Sequence, residues 1–132
     1  MIQNPTFFKE VTNTILEESE DSINLDQADL KMVMSYEGLV LVGQSEALSE
    51  DAVSIALSQA LGSALGKYSL HNARAILIHF YMHPDAKFSD ISKAMKIIGE
   101  GANAEADIIF GTKNSSEISL DYAKVSIILT GL

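Results

Sequence analysis

"RAILIHFY", residues 74–81, decides the fold. Apolar side chains stand at both alternating sets of positions, so neither face is suited to water. Such a run reads as a central strand, covered on both sides or paired on both edges. Pro84 with Asp85 then turns the chain. The elements on either side must supply that cover.

Upstream lies the clearest helix pattern in the chain. Val53, Ala56, Leu57, Ala60, Leu61 and Ala64 follow the i, i+3, i+4, i+7 spacing of one buried stripe. Ser49 stands as its N-cap, with Glu50 and Asp51 in a first turn that favours acid. Gly62 and Gly66 suggest close packing or termination near its end. Before it, "GLVLVG" (38–43) is a strand-sized apolar run between two glycines. Residues 26–35 read as a short helix, with Leu30, Val33 and Met34 along one side. Pro5 opens a first helix carrying Phe8, Val11 and Ile15 to about Ser19. The acidic "EESED" (17–21) opposes the macrodipole at that helix's end and is expected to fray or to lie in the loop beyond.

Downstream, Ser89 is placed to cap a helix reaching about Ile98, with Ile91, Ala94, Met95 and Ile98 buried. "ADIIFGT" (106–112) and the run "ISLDYAKVSIILTGL" (118–132) follow and read as two strands joined by a polar turn. The order ααβαβαββ predicts an α+β fold, a mixed four-stranded sheet with helices packed on it. The last two strands are expected to join it as a hairpin-type addition.

The chain has 132 residues, enough for one core. With 47% hydrophobic and 20% charged residues it falls among folded proteins, well away from disordered ones. Nine basic residues face eighteen acidic ones, for a net charge of -9, and Arg74 is the single arginine. That balance argues against nucleic acid and against an anionic membrane surface, which both need a basic footprint. The absence of cysteine removes disulfides, thiolate metal sites and thiol chemistry. The start "MIQNPTFFKEV" lacks the basic and apolar regions of a signal peptide, and no apolar run approaches the roughly 20 residues of a membrane span. A soluble, cytoplasmic domain is expected.

The eight glycines assemble neither a dinucleotide fingerprint nor a Walker loop. No serine sits in a nucleophile elbow. His79 and His83 have the i, i+4 spacing of a helical metal site, but the segment is strand-like and Pro84 follows, so the rings need not converge. No metal site is expected. Asn24, Asp26 and Asp29 remain. Asn24 or Asp26 can cap the short helix, with Asp29 in its first turn. The same geometry projects Asp26 and Asp29 from one face, where a carboxylate pair can hold and polarise a water for phosphoryl transfer. Cap and site are both open readings of these residues.

"NLDQADLKMVM" (24–34) resembles the FtsZ segment N-x-D-x-A-D, a basic residue, then T-V-M: the synergy loop and the helix after it. "EADIIFGT" and "VSIILTGL" resemble that family's closing strands. The likeness spans about residues 8–132, specific at both ends and weak in the middle. It implies the tubulin/FtsZ C-terminal domain over 22–132, and over 1–21 the end of the central helix with an acidic loop. In that family the synergy loop of one subunit enters the next subunit's nucleotide pocket and completes a GTPase site. Carried over, Asn24, Asp26 and Asp29 are the loop's polar residues, and the two aspartates orient the attacking water in trans.

The departures bear on function. The G-G-G-T-G-T-G signature is missing, so the chain is expected to bind no GTP alone and to meet it only through a partner, FtsZ or another tubulin-like subunit. Gln27 replaces an apolar residue, "EESEDS" replaces a Pro-Gly turn, and "IHFYMHPD" replaces a more polar strand end. The sequence given stops at Leu132, and the family's tail is expected to be absent. A shortened relative is therefore expected that docks through its synergy loop, either capping a filament or activating hydrolysis. A truncated fragment of a divergent FtsZ and a structural remnant without filament contacts are the alternatives.

Overall fold

The computed structural model describes residue 2, residues 4–18 and residues 22–132. The order is α1 (Pro5–Leu16), α2 (Gln27–Val33), β1 (Val40–Leu48), α3 (Ala52–Leu65), a 3-10 turn at Leu70–Asn72, β2 (Ala75–Met82), α4 (Phe88–Gly101), β3 (Asp107–Asn114) and β4 (Tyr122–Thr130). This is the expected mixed four-stranded sheet with helices packed on it.

The strands lie in the order β1-β4-β2-β3. β2 and β3 are parallel, joined by α4 as a crossover, and β4 is antiparallel to both β1 and β2. The run 74–81 is thus central, flanked by β4 and β3. The expected hairpin is corrected here: β3 and β4 are not neighbours. Residues 115–121 cross the end of β2 and deliver β4 between β1 and β2. Burial explains the choice. Val125 to Thr130 are buried without a break, which only an inner strand allows, whereas most of β3 is half-buried or exposed, as an edge strand is.

Two apolar layers sandwich the sheet. On one face α3 and α4 bury Val53, Ala56, Leu57, Ala60, Ile91 and Ile98 against Ile76, Ile78, Phe80 and Ile127. On the other, Val11 and Ile15 of α1 and Val33 of α2 pack on Val40, Ala75, Leu77 and Ile128. Alternation along each strand sorts its residues between these layers.

Some boundaries move. β1 runs through Gly43 to Leu48 instead of ending at the glycine. A Cβ at Gly43 would lie 2.1 Å from the Ala60 carbonyl oxygen, so this glycine admits α3 close to the sheet. Ser49 does not cap α3; the N-cap position is Asp51, whose N–H donates to Ser49 Oγ at 3.1 Å. α4 starts at Phe88, with Lys87 rather than Ser89 at its N-cap, and runs through Gly99 to Gly101. α1 ends at Leu16 with Glu17 as its C-cap, so the first acids of the "EESED" run lie beyond the helix. Ser19, Glu20 and Asp21 lie outside the described residues.

Candidate functional site

The segment that leads into α2 is held on the edge of β3. The Ile23 N–H donates to Thr112 Oγ1 at 2.9 Å, and the Thr112 N–H donates to the Ile23 carbonyl at 2.8 Å. Two residues further along β3, the Asn114 N–H donates to Ser22 Oγ at 2.9 Å. Leu25, buried, lies over Gly111, where an added Cβ would stand 2.4 Å from the leucine Cγ. These contacts satisfy edge-strand groups that would otherwise face water. Asn24, between two anchored neighbours, is exposed.

Asp26 is the N-cap of α2, and Asp29 is its third helical residue. Asp26 Oδ1 accepts the Asp29 N–H and Asp29 Oδ2 accepts the Asp26 N–H, each at 3.0 Å, forming a reciprocal capping box. The cap reading of these residues is therefore realised. One oxygen of each carboxylate is used. Among the described residues Asp26 Oδ2 and Asp29 Oδ1 take no hydrogen bond, and Asp26 lines a hollow of about 350 Å³ together with Leu16, Leu25 and Gln27. The far end of α2 is tied as well: Thr130 Oγ1, fully buried, donates to the Val33 carbonyl at 2.7 Å, and the Tyr36 hydroxyl donates to the Asp107 carboxylate. That bond raises the Tyr36 pKa. Asp26 and Asp29 thus share one rigid helical start, and Asn24 lies two residues before it.

Two apolar residues absent from the sequence reading of the site stand beside this loop. Ile23 is 47% exposed and Phe88 65%. With Met82, Pro84 and Ile91 they bound a hollow of about 240 Å³. Leu48 (70%) and Leu120 (56%) are also exposed and, by strand register, lie at the same end of the sheet. Among the described residues, the four most exposed large apolar side chains therefore share one end of the domain, the pattern of a contact surface. The signal available in the sequence was Phe88, a phenylalanine just before Ser89, the residue expected to cap the helix.

The histidines do not converge on a metal. His79 is in β2, buried, with Nδ1 lacking a partner, and its pKa is lowered to about 4 by burial and then by the Lys113 charge, against a smaller opposing effect of Glu17. His83 Nδ1 accepts the Asp85 N–H at 3.0 Å. Among the described residues no three His, Asp or Glu side chains are grouped to hold an ion, and no helix is long and apolar enough to cross a membrane.

The four-stranded mixed sheet with its helices and edge loop has the fold seen in solved tubulin-like proteins. The chain superposes on TubZ of Bacillus thuringiensis, solved as GDP-form protofilaments, with a TM-score of 0.69 at 14% identity over 96% of this chain and 34% of that one, a likeness of fold alone. The particular family follows from sequence. The model of the "FtsZ family, C-terminal domain" matches residues 38–132, and the chain belongs to the FtsZ family as its C-terminal domain. It is 36% identical over 111 residues to the cell division protein FtsZ of Helicobacter pylori strain J99, covering 83% of this chain and 29% of that protein. It is 36% identical over 112 residues to that of Neisseria meningitidis strain Z2491, with the same shares. An empty FtsZ dimer of M. jannaschii matches with a TM-score of 0.70 at 29% identity, over 85% of this chain and 33% of that one. The chain spans about 29% of the length of these curated relatives, and its 132 residues do not include a GTPase domain.

Proposed function

We propose that this domain docks through its synergy loop, residues 22–29, on the nucleotide-bearing face of an FtsZ-type subunit and modulates its polymerisation or GTP hydrolysis. The observation that carries this reading is the capping box. It fixes Asp26 and Asp29 in register while using one oxygen of each, which leaves the second for the water that such a pair would orient. Pre-organisation matters because phosphoryl transfer draws nearly all its help from positioning and electrostatics.

The surroundings suit a protein partner. Ile23 and Phe88 offer apolar anchors at the loop, and five acids, Glu50, Asp51, Asp85, Asp90 and Asp121, outnumber Lys87 and Lys93 around a hollow at the same end. The complementary face carries basic residues around an apolar patch. GTP belongs to the partner; this chain contributes carboxylates and no phosphate loop. Asn24, exposed two residues ahead of the box, is the loop's third polar residue.

Two outcomes of docking differ in sign. A domain with one polymerising face blocks the next subunit and lowers turnover per FtsZ; a domain that supplies Asp26 and Asp29 in trans raises it. The test mixes the chain with full-length FtsZ and GTP and follows phosphate release and pelleting together. No change in either at excess chain refutes docking.

A further inference from the structure

We propose that Lys113 is the positioning residue of the synergy loop, an inference that rests on reading that loop as the docking and catalytic element. Its ammonium lies 2.7 Å from Glu17 Oε1 and 5.2 Å from the centre of the Tyr81 ring. The lysine side chain is only 18% exposed, so its stem is packed and its head has little freedom.

The end of α1 explains why that cation is needed. Its last turn holds no basic residue, Glu17 is the C-cap, and Glu18 follows. Carboxylates at a helix C-terminus meet the negative end of the macrodipole. The compensating charge comes from another element, β3, and it arrives where the chain leaves α1 for the loop.

The neighbours of Lys113 hold the other end of the same connection. Asn114 donates its N–H to Ser22, and Thr112 exchanges two hydrogen bonds with Ile23. Three consecutive residues of β3 therefore fix the chain as it leaves α1 and again as it enters the capped helix. The Ser22 and Ile23 ties set the register of the loop along the strand. The Lys113–Glu17 pair sets the distance of α1 from it. Together they fix the direction in which the Asp26 cap points. An exposed ion pair alone contributes little. The packed stem, the ring beneath it and the helix end raise this one into the range where a local opening equilibrium moves measurably.

The experiment is amide hydrogen exchange on the chain alone, read at Ile23 and Thr112, with Ile127 in β4 as reference. Lys113→Met is expected to speed exchange at Ile23 and Thr112 roughly five- to tenfold while changing Ile127 less than about twofold. Glu17→Gln should reproduce this from the other side, and Lys113→Arg should restore protection. Unchanged exchange in both Lys113→Met and Glu17→Gln, or an equal rise at all three amides, overturns the proposal. The same variants are then added to full-length FtsZ with GTP. Lys113→Met should alter turnover per bound chain more than apparent affinity, with Arg again restoring it. If the exchange effect is present but the unsubstituted chain leaves FtsZ turnover and pelleting unchanged, Lys113 holds the loop and the docking reading is the one that fails.

Discussion

Asp26 and Asp29 each hold the other's backbone N–H, so each acid is at once a cap and a candidate catalytic group. The two roles separate by substitution. Asn accepts a hydrogen bond at an N-cap about as well as Asp, whereas Ala does not. Asp26→Asn should therefore leave stability within about 0.5 kcal/mol and abolish any stimulation of GTP turnover by the chain, while Asp26→Ala should also cost about 1 kcal/mol. Urea unfolding beside phosphate release checks both. An Asp26→Asn chain that still stimulates turnover would show that the carboxylate is a cap alone.

His79 predicts a pH dependence. Its folded pKa is about 4 against an ordinary value of 6.5, because burial and the Lys113 charge disfavour the imidazolium. Between those values the unfolded chain binds the proton and the folded chain does not, so stability rises with pH across that window. The contribution is complete above about pH 6.5 and is lost as pH falls towards 4, on the order of 3 kcal/mol in all. Urea midpoints from pH 4 to 7 should rise, and His79→Asn should flatten that rise. An unchanged slope in the variant would assign the dependence to other groups.

The fold was legible where local pattern and global burial agree. "RAILIHFY" has no polar face and is central; the helix from Ala52 carries its stripe openly. The β3–β4 pairing was misread because residues 115–121 are polar and turn-like, and nothing local reveals that β2 lies between the strands they join. Gly43 looked like a strand end because the Ala60 carbonyl that requires it belongs to another element. The same division runs through the site. Asp26 and Asp29 are spaced within one helical turn and Asn24 lies two residues before Asp26, so their relation is written in sequence. The exposure of Ile23 and Phe88, and the meeting of Glu17 with Lys113, depend on which end of the sheet distant segments reach.

Two glycines should fail differently. Alanine at Gly43 would set a Cβ 2.1 Å from the Ala60 carbonyl oxygen, inside a helix packed on the sheet, and is expected to cost about 3 kcal/mol or to prevent folding. Alanine at Gly111 meets the Leu25 side chain at 2.4 Å and the Ile23 carbonyl at 2.8 Å, both on the loop. Its damage should be local: a cost of about 1–2 kcal/mol, with exchange at Ile23 accelerated more than at Ile127. Thermal melts and exchange on the two variants would reveal the contrast, and equal global losses would contradict it.

Phe88 tests the docking face most directly. A phenylalanine left 65% exposed at the first position of α4 contributes little to the core, so Phe88→Ser should change stability by less than about 0.5 kcal/mol. At a protein interface the same truncation typically costs about 2 kcal/mol when the ring fills a pocket, a loss of more than tenfold in affinity. Ile23→Ser, from the opposite wall of the hollow, should act in the same direction by a smaller amount. Because the two side chains bound one hollow, the double variant should lose less than the sum of the single losses. Cosedimentation of each variant with full-length FtsZ measures this. Stable variants that bind as tightly as the parent would move the contact surface away from this end of the sheet and towards the Asp26 side of the loop.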